Sequence, residues 1–298
     1  MISVCLFSAF LLLQEQPKPL PELKSFLAEL RKTLHTDTHL LGQYTYAEKQ
    51  TMTQLDSKGT PKTTDVNVFE VFPGTPERVG YRRRIVKDGV PLSSAELKKE
   101  DQAIEKRIEA AERRRSRVPP AERERNRAER RRREEQIIDD ALGVFDVQIT
   151  SREDFNGRPA IMLKFQPRQA YKPKTSEGKN MQHVAGRAWI DEEDHQIARV
   201  EMEVIDPISI GLALLARLQK GASIVAERRK FNGEIWLPVK TEVTLNARVL
   251  LLKGFNIRLI NEYSDHKKYT VDTILKFSDV EITQPSPAEL PLNHPAKR

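Results

Sequence analysis

Hydrophobic and polar positions alternate most cleanly between Val239 and Val249. Val239, Thr241, Val243, Leu245, Ala247 and Val249 fall on one side, and Lys240, Glu242, Thr244, Asn246 and Arg248 on the other. Val200, Met202 and Val204 oppose Arg199, Glu201 and Glu203 in the same way. A period of two with one wet side marks a strand in an antiparallel sheet covered on one face only. Similar segments recur between turn signals. Tyr44–Leu55 and Val66–Phe72 flank Asp56-Ser57-Lys58-Gly59, and Val79–Val86 ends at Asp88-Gly89. Phe145–Arg152 and Pro159–Phe165 flank Asn156-Gly157, while Ile224–Phe231 and Ile235–Val249 flank Asn232-Gly233. Asn-Gly between alternating runs signals a hairpin, because both central residues of its tight turn need positive φ. Val184–Ile190 and Ile197–Val204 flank the acidic turn Asp191–His195. Phe255–Tyr263 follows Lys253-Gly254, and Val271–Phe277 is a last candidate strand. About ten such strands in succession predict a mainly β (α+β) fold: a barrel, a half-barrel or a sandwich. Strands and helices do not alternate regularly, which argues against a parallel α/β fold.

Three segments follow the helical period instead. Leu23, Phe26, Leu27, Leu30 and Leu34 give the i, i+3, i+4, i+7 spacing of an amphipathic helix over Pro21–Leu34. Ile208–Leu218 (ISIGLALLARL) is apolar nearly all round, which predicts a buried helix filling the concave face of a curved sheet. The segment 93–142 is densely charged. Ser93-Ser94-Ala95-Glu96 has capping-box spacing, Pro119-Pro120 breaks the helix, and a second helix is expected from Ala121 to Leu142. Its middle has almost no apolar side, so a charged helical hairpin projecting from the sheet is predicted, with its tip near Pro119.

Charge sharpens that picture. The chain of 298 residues carries a net +7, and the stretch Arg113–Arg133 holds 11 Arg against 3 Glu. The basic character therefore belongs to one local run, and a general nucleic-acid-binding surface is not implied. Arg113, Arg114, Arg115, Arg117, Arg130, Arg131, Arg132 and Arg133 are candidates for facing an anionic membrane surface or an envelope protein. No aromatic residue interleaves with them, so stacked bases would find no platform. The apolar run Ile2–Leu13 is shorter than the roughly 20 residues of a membrane span and has the length of a signal-peptide core. Residues 1–16 read as an export signal, and residues 17–298 as one domain with a helical insertion at 93–142. The expected location is the periplasm or cell envelope. Cys5 is the only cysteine, which leaves no disulfide framework and no cysteine metal site.

The chain offers no nucleophile elbow, no zinc-protease helix, no phosphate-binding Gly loop and no dinucleotide fingerprint. His35 and His39 read as a surface pair and Asp191–His195 as a polar hairpin tip. Trp189 and Trp236 read as core packing or cavity lining. No catalysis, metal or cofactor is expected.

The order of elements, with Gly186-Arg187-Ala188-Trp189-Ile190-Asp191, Ile197-Ala198-Arg199-Val200-Glu201 and Asn232-Gly233-Glu234-Ile235-Trp236-Leu237-Pro238, resembles the outer-membrane lipoprotein-sorting superfamily. These are the LolA-, LolB- and LppX-like periplasmic carriers, and the likeness runs from Pro21 to Phe277. It implies an unclosed β-barrel of about eleven strands whose helices cover the concave face and enclose a cavity for acyl chains. The segment 93–142 is what the compact carriers lack. The apolar sheet face and the apolar segment Ile208–Leu218 make Val200, Met202, Leu212, Leu215, Val243, Leu245, Ile257 and Leu259 candidate lining residues for a lipid or lipoprotein acyl chain.

Overall fold

The computed structural model describes residues 18–35, 38–75, 78–210, 216–249 and 254–268 of the chain. The apolar run Ile2–Leu13, the residues Leu212 and Leu215, and the candidate strand Val271–Phe277 lie outside the described residues.

The chain enters through helix α1 (Leu23–Thr33) and the single turn α2 (Thr38–Leu41), then forms strands β1 (Tyr44–Leu55), β2 (Pro61–Phe72), β3 (Tyr81–Lys87) and β4 (Val90–Pro91). Helices α3 (Ser94–Arg117) and α4 (Pro120–Val144) follow. Next come β5 (Phe145–Phe155), β6 (Arg158–Pro167), the short α5 (Ser176–Met181), β7 (Val184–Asp191), β8 (Ile197–Val204), β9 (Ile208–Ile210) and β10 (Ala216–Leu218). Strands β11 (Ser223–Phe231), β12 (Ile235–Val249) and β13 (Phe255–Lys268) complete the described chain. All the strands join one 13-stranded antiparallel sheet, in the order β4-β3-β2-β1-β13-β12-β11-β8-β7-β6-β5, with β9 and β10 attached to the side of β12. The ends β4 and β5 do not meet, so the sheet is not closed into a barrel.

The turn chemistry appears where the alternation placed it. Asp88 and Gly89 have φ of 50° and 78°, Asn156 and Gly157 56° and 78°, and Asn232 and Gly233 50° and 71°. Paired positive φ is what a two-residue hairpin turn needs to match the twist of its strands. The middle of the sheet is closed differently, by β1 against β13, from Tyr44 opposite Lys268 to Leu55 opposite Asn256, with the register shifting once between Thr45 and Ala47.

The segment Ile208–Leu218 corrects the helix expected there. Its ends are strands β9 and β10, paired Ala216 to Ile210 and Leu218 to Ile208. The physical reason is the length of β12. Its pairing with β11 reaches only from Ile235 to Thr244, and β10 takes the stretch beyond, from Ala247 to Val249. Backbone groups at a buried sheet end must find partners, and a hairpin supplies them where a helix cannot.

Segment 93–142 forms the two expected helices, and its place in the sheet shows what they connect. Ser93 caps α3 in a reciprocal capping box with Glu96. The chain leaves the sheet at one end, β4, and returns at the other, β5. The pair is thus the crossover between the two free ends, across ten strand spacings or about 48 Å of sheet. It was expected to project, yet both helices lie against the body. Arg83 of β3 reaches Asp101 at 2.6 Å and Arg84 reaches Glu100 at 3.2 Å. The elbow at Val118 shares a hollow with Arg78 and Val79 of the β2–β3 loop.

The far end of α4 is fastened by Asp140, which is fully buried. Its carboxylate accepts hydrogen bonds from Thr175 Oγ1 (2.6 Å), Thr175 N (2.8 Å), Lys174 N (3.0 Å) and Tyr171 Oη (3.0 Å). Gly178 faces this carboxylate so closely that a Cβ there would collide with it. Burial alone would raise the Asp140 pKa, but these four donors outweigh it and hold the carboxyl below its ordinary value of 3.8. A folded-state pKa below the unfolded one contributes stability above the unfolded value, and that contribution is lost as pH falls through the folded one. Asp140→Ala should cost about 1–3 kcal/mol in urea denaturation at neutral pH, because buried donors lose their acceptor. The gap from wild type should hold at neutral pH and narrow as the pH drops below 3.8. A gap that is flat through acid pH would show that Asp140 is not the charged anchor.

Candidate functional site

In an antiparallel pair, residues directly opposite one another project from the same face. The register therefore traces one row across seven strands: Phe165, Gly186, Met202, Ile224, Val243, Leu259 and Met52. A neighbouring row begins with Leu163, Ala188, Val200 and Ala226, then turns polar at Thr241, Asn261 and Gln50. One face of the sheet is thus apolar around β6–β12 and grows polar towards β1.

Helix α1 covers part of this face. Glu22 caps it by accepting from Lys24 N and Ser25 N. Phe26 and Leu30 are buried against Ile161, Leu163, Phe165, Ala188 and Ile190. The C-terminal end of α1 is tied to the β7–β8 turn, where Thr33 Oγ1 donates to the His195 carbonyl at 2.5 Å. Towards α4 the contact is polar: Arg31 pairs with Glu135 at 2.9 Å and Asp139 at 2.7 Å, and the His35 ring lies 3.1 Å from Glu135.

Between α1, the C-terminal turn of α4, the end of α5 and the uncovered sheet lies an open cleft of about 500 Å³. Leu27, Leu30 and Leu34 enter it from α1, Ala141 and Leu142 from α4, and Met181 from α5. The sheet contributes Phe165, Val200, Met202, Ile224, Val243 and Leu245, with Ile208 and Leu218 from the β9–β10 hairpin. Among the described lining residues, Glu203 is the only ionisable one. Gly186 lets the Phe165 ring and the Glu201 carbonyl pack close to the backbone of β7, because a Cβ there would come 2.8 Å from the ring and would strike the carbonyl. Such a surface offers dispersion and exclusion of water.

Of the sequence-derived candidates, Val200, Met202, Val243 and Leu245 line the cleft together. Ile257 and Leu259 stand directly opposite Leu245 and Val243, one strand further along, outside the lining. Leu212 and Leu215 are outside the described residues. The helical contributors were missed as lining, although their signal was present: Leu27, Leu30 and Leu34 are the apolar stripe of α1.

Trp189 projects from the face opposite Ala188 and the cleft, and the acidic turn stands at the end of the sheet beside α1. Trp189 donates to Glu153 at 2.8 Å and lies under Arg187 and Arg199, 5.3 and 5.5 Å from its ring. Trp236 donates to Asp194 at 2.9 Å. Asp191, almost fully buried, receives Arg158 at 2.5 Å. Its burial would raise the pKa, but Arg158 and the Asp194 and Glu193 N–H groups bring it below the ordinary value. Glu192 pairs with Arg152 at 2.7 Å and Asp194 with Lys230 at 2.9 Å. The acidic hairpin tip is thus neutralised by cations from β5, β6 and β11 and clamps those strands together.

The arm arginines do not form one surface. Arg113 is paired with Glu109 (3.1 Å), Arg131 with Glu124 (3.3 Å) and Arg133 with Glu177 (2.8 Å). Arg114, Arg117 and Arg132 face solvent. Arg115 and Arg130 turn into the hollow at the elbow, with Arg123 and Arg127. The latter two were not among the candidates, though Arg123, Arg127 and Arg130 have the i, i+4, i+7 spacing of one helix face.

No family model matches the chain, and no curated protein matches it. Solved structures do resemble it at low identity. An outer-membrane lipoprotein-sorting protein domain from Vibrio parahaemolyticus is 9% identical over 85% of this chain and 96% of its own, with a TM-score of 0.30. A LolA superfamily protein from Nitrosomonas europaea is 10% identical over 84% of this chain and 96% of its own, with a TM-score of 0.29. A DUF1329 family protein from Desulfovibrio piger is 12% identical over 86% of this chain and 97% of its own, with a TM-score of 0.30.

The geometry divides the forces that hold α1 over the cleft. Leu30 is buried, whereas Arg31 and its partners are all more than a third exposed. Leu30→Ala should cost about 2–5 kcal/mol in urea denaturation, and Arg31→Ala less than about 1 kcal/mol. Equal costs would show that the helix is held by its ion pairs.

Proposed function

We propose that the chain is a non-catalytic envelope protein that takes an acyl chain of a lipid or lipoprotein into the cleft under α1. The observation that carries this reading is the lining itself: a cleft of about 500 Å³ with one ionisable side chain among its described residues. Methylenes buried there each contribute about 0.8 kcal/mol, so about ten of them supply micromolar-scale binding before ordering costs. The open end of the cleft suits an elongated ligand. The Met202–Val243 row passes from the lining to Leu259 and Met52. Ile257 and Leu259 extend the proposed contact along that row. Leu212 and Leu215 remain in the proposal on sequence alone, between the lining residues Ile208 and Leu218. The apolar run Ile2–Leu13 supports export, and N-terminal sequencing of the mature protein tests that part separately.

Full-length protein purified from its native envelope should release a lipid into organic solvent, read by mass spectrometry, and should bind a fluorescent fatty acid. Val200→Trp, which fills the cleft with apolar bulk, should abolish both while leaving the circular dichroism spectrum unchanged. Met202→Asp should do the same through an unpaired charge, at some cost in stability. A wild-type protein that yields no lipid and binds no fatty acid would sink the reading.

A further inference from the structure

The apolar lining gives way to polar groups beside Val200. Val200 lines the cleft, and Ala226 stands directly opposite it on β11. Across the sheet the next position in that row is Thr241, opposite Ala226. Along β11 the next residue on the same face is Arg228, because side chains two apart in a strand share a face. We propose that Arg228 is a specificity-determining residue that receives the oxyanion head of the acyl chain held in the cleft. This rests on the acyl-chain reading and adds a charge to the ligand.

The first observation is position. Arg228 Nη1 donates to Gln196 Oε1 at 3.2 Å, and Arg228 Nη2 to the Trp236 carbonyl at 2.9 Å. Gln196 Nε2 in turn donates to the Thr33 carbonyl of α1 at 3.3 Å. Gln196 and Thr33 immediately precede Ile197 and Leu34, both of which line the cleft. Arg228 therefore stands behind the lining, at the end where α1 meets the β7–β8 turn.

The second is charge. Arg228 is partly buried and makes no ion pair among the described residues. The acids beside it are engaged elsewhere: Glu227 pairs with Arg199, and Asp194 with Lys230, two residues further along β11. Arg31, Arg83, Arg152 and Arg158 each have a carboxylate that raises the pKa of the guanidinium. Burial pushes that of Arg228 down, with no anion to offset it. A guanidinium withdrawn from water without an anion is costly, and a bound oxyanion would remove that cost. The third is unused donors. A guanidinium has five N–H groups in a fixed fork, and the two bonds of Arg228 go to neutral acceptors.

A carboxylate or a phosphate ester accepts paired donors from such a fork, whereas a hydroxyl cannot neutralise it. Three probes with the same hydrocarbon chain separate these heads: palmitic acid, hexadecyl phosphate and hexadecanol. Each is titrated as a competitor of a fluorescent fatty acid on the full chain. Wild type should bind one or both anionic probes about tenfold or more tightly than hexadecanol. The tighter of the two assigns the head as carboxylate or phosphate. Arg228→Gln should bring the anionic probes to the affinity of hexadecanol and leave hexadecanol itself unchanged, which shows that fold and cleft persist. Arg228→Lys should keep part of the preference. Arg229→Gln, which removes the same charge from the exposed neighbouring position, should behave as wild type. Equal wild-type affinities for acid and alcohol, a preference that survives Arg228→Gln, or equal losses for all three probes in that variant would overturn the assignment while the acyl-chain reading stands. Failure of wild type to bind any of the three would overturn both.

Discussion

A sheet this wide with one apolar face must be covered, and the described helices are too few to cover it. That imbalance organises the molecule. Phe26 and Leu30 of α1 close the face over β6 and β7. Beyond them the apolar row continues through Met202, Ile224 and Val243, and among the described residues no second layer covers it. The cleft is the part of the core that the described residues leave unfilled. Its walls are kept in position by polar devices elsewhere: Asp140 under α4, Glu22 at the start of α1, and the acidic turn that gathers Arg152, Arg158 and Lys230.

The architecture was legible in the sequence where the signal was local. Alternation assigned Val200, Met202, Val243 and Leu245 to one face before any register was known, because a period of two leaves no choice once one residue is placed. The two Asn-Gly pairs marked two hairpins, and Asp88-Gly89 the end of a strand, because few other residues tolerate their backbone angles. Ile208–Leu218 misled because composition was read without context. Uniform apolarity says that a segment is buried, not whether its backbone bonds to itself or to a neighbour. The overhang of β12, which decides between the two, is a property of pairing and not of the segment.

The charged segment failed to be legible for a related reason. Capping box, proline break and helix lengths were all in the sequence. That α3 and α4 connect opposite ends of the sheet follows only from strand order. Strand order here depends on β1 meeting β13, a contact between distant parts of the chain. For the same reason, eight arginines chosen by composition included three that carboxylates neutralise, Arg113, Arg131 and Arg133, and omitted Arg123 and Arg127. Which arginine is spoken for depends on what stands beside it, not on how many there are.

The pairing of β1 with β13 also sets a timetable for assembly. During synthesis β1 emerges with one side open, and its partner arrives about 200 residues later; at ribosomal rates near 5–20 residues per second that is a wait of about 10–40 s. A strand waiting so long is exposed to pairing with any other chain. The composition of β1, YTYAEKQTMTQL, suits this delay: it holds three Thr, two Gln, one Glu and one Lys and has no run of aliphatic residues. Polar spacing of this kind discourages adventitious zippering between nascent chains. The seam at the centre of the sheet is therefore the last to be sewn, and its first edge is made of residues that keep well in water.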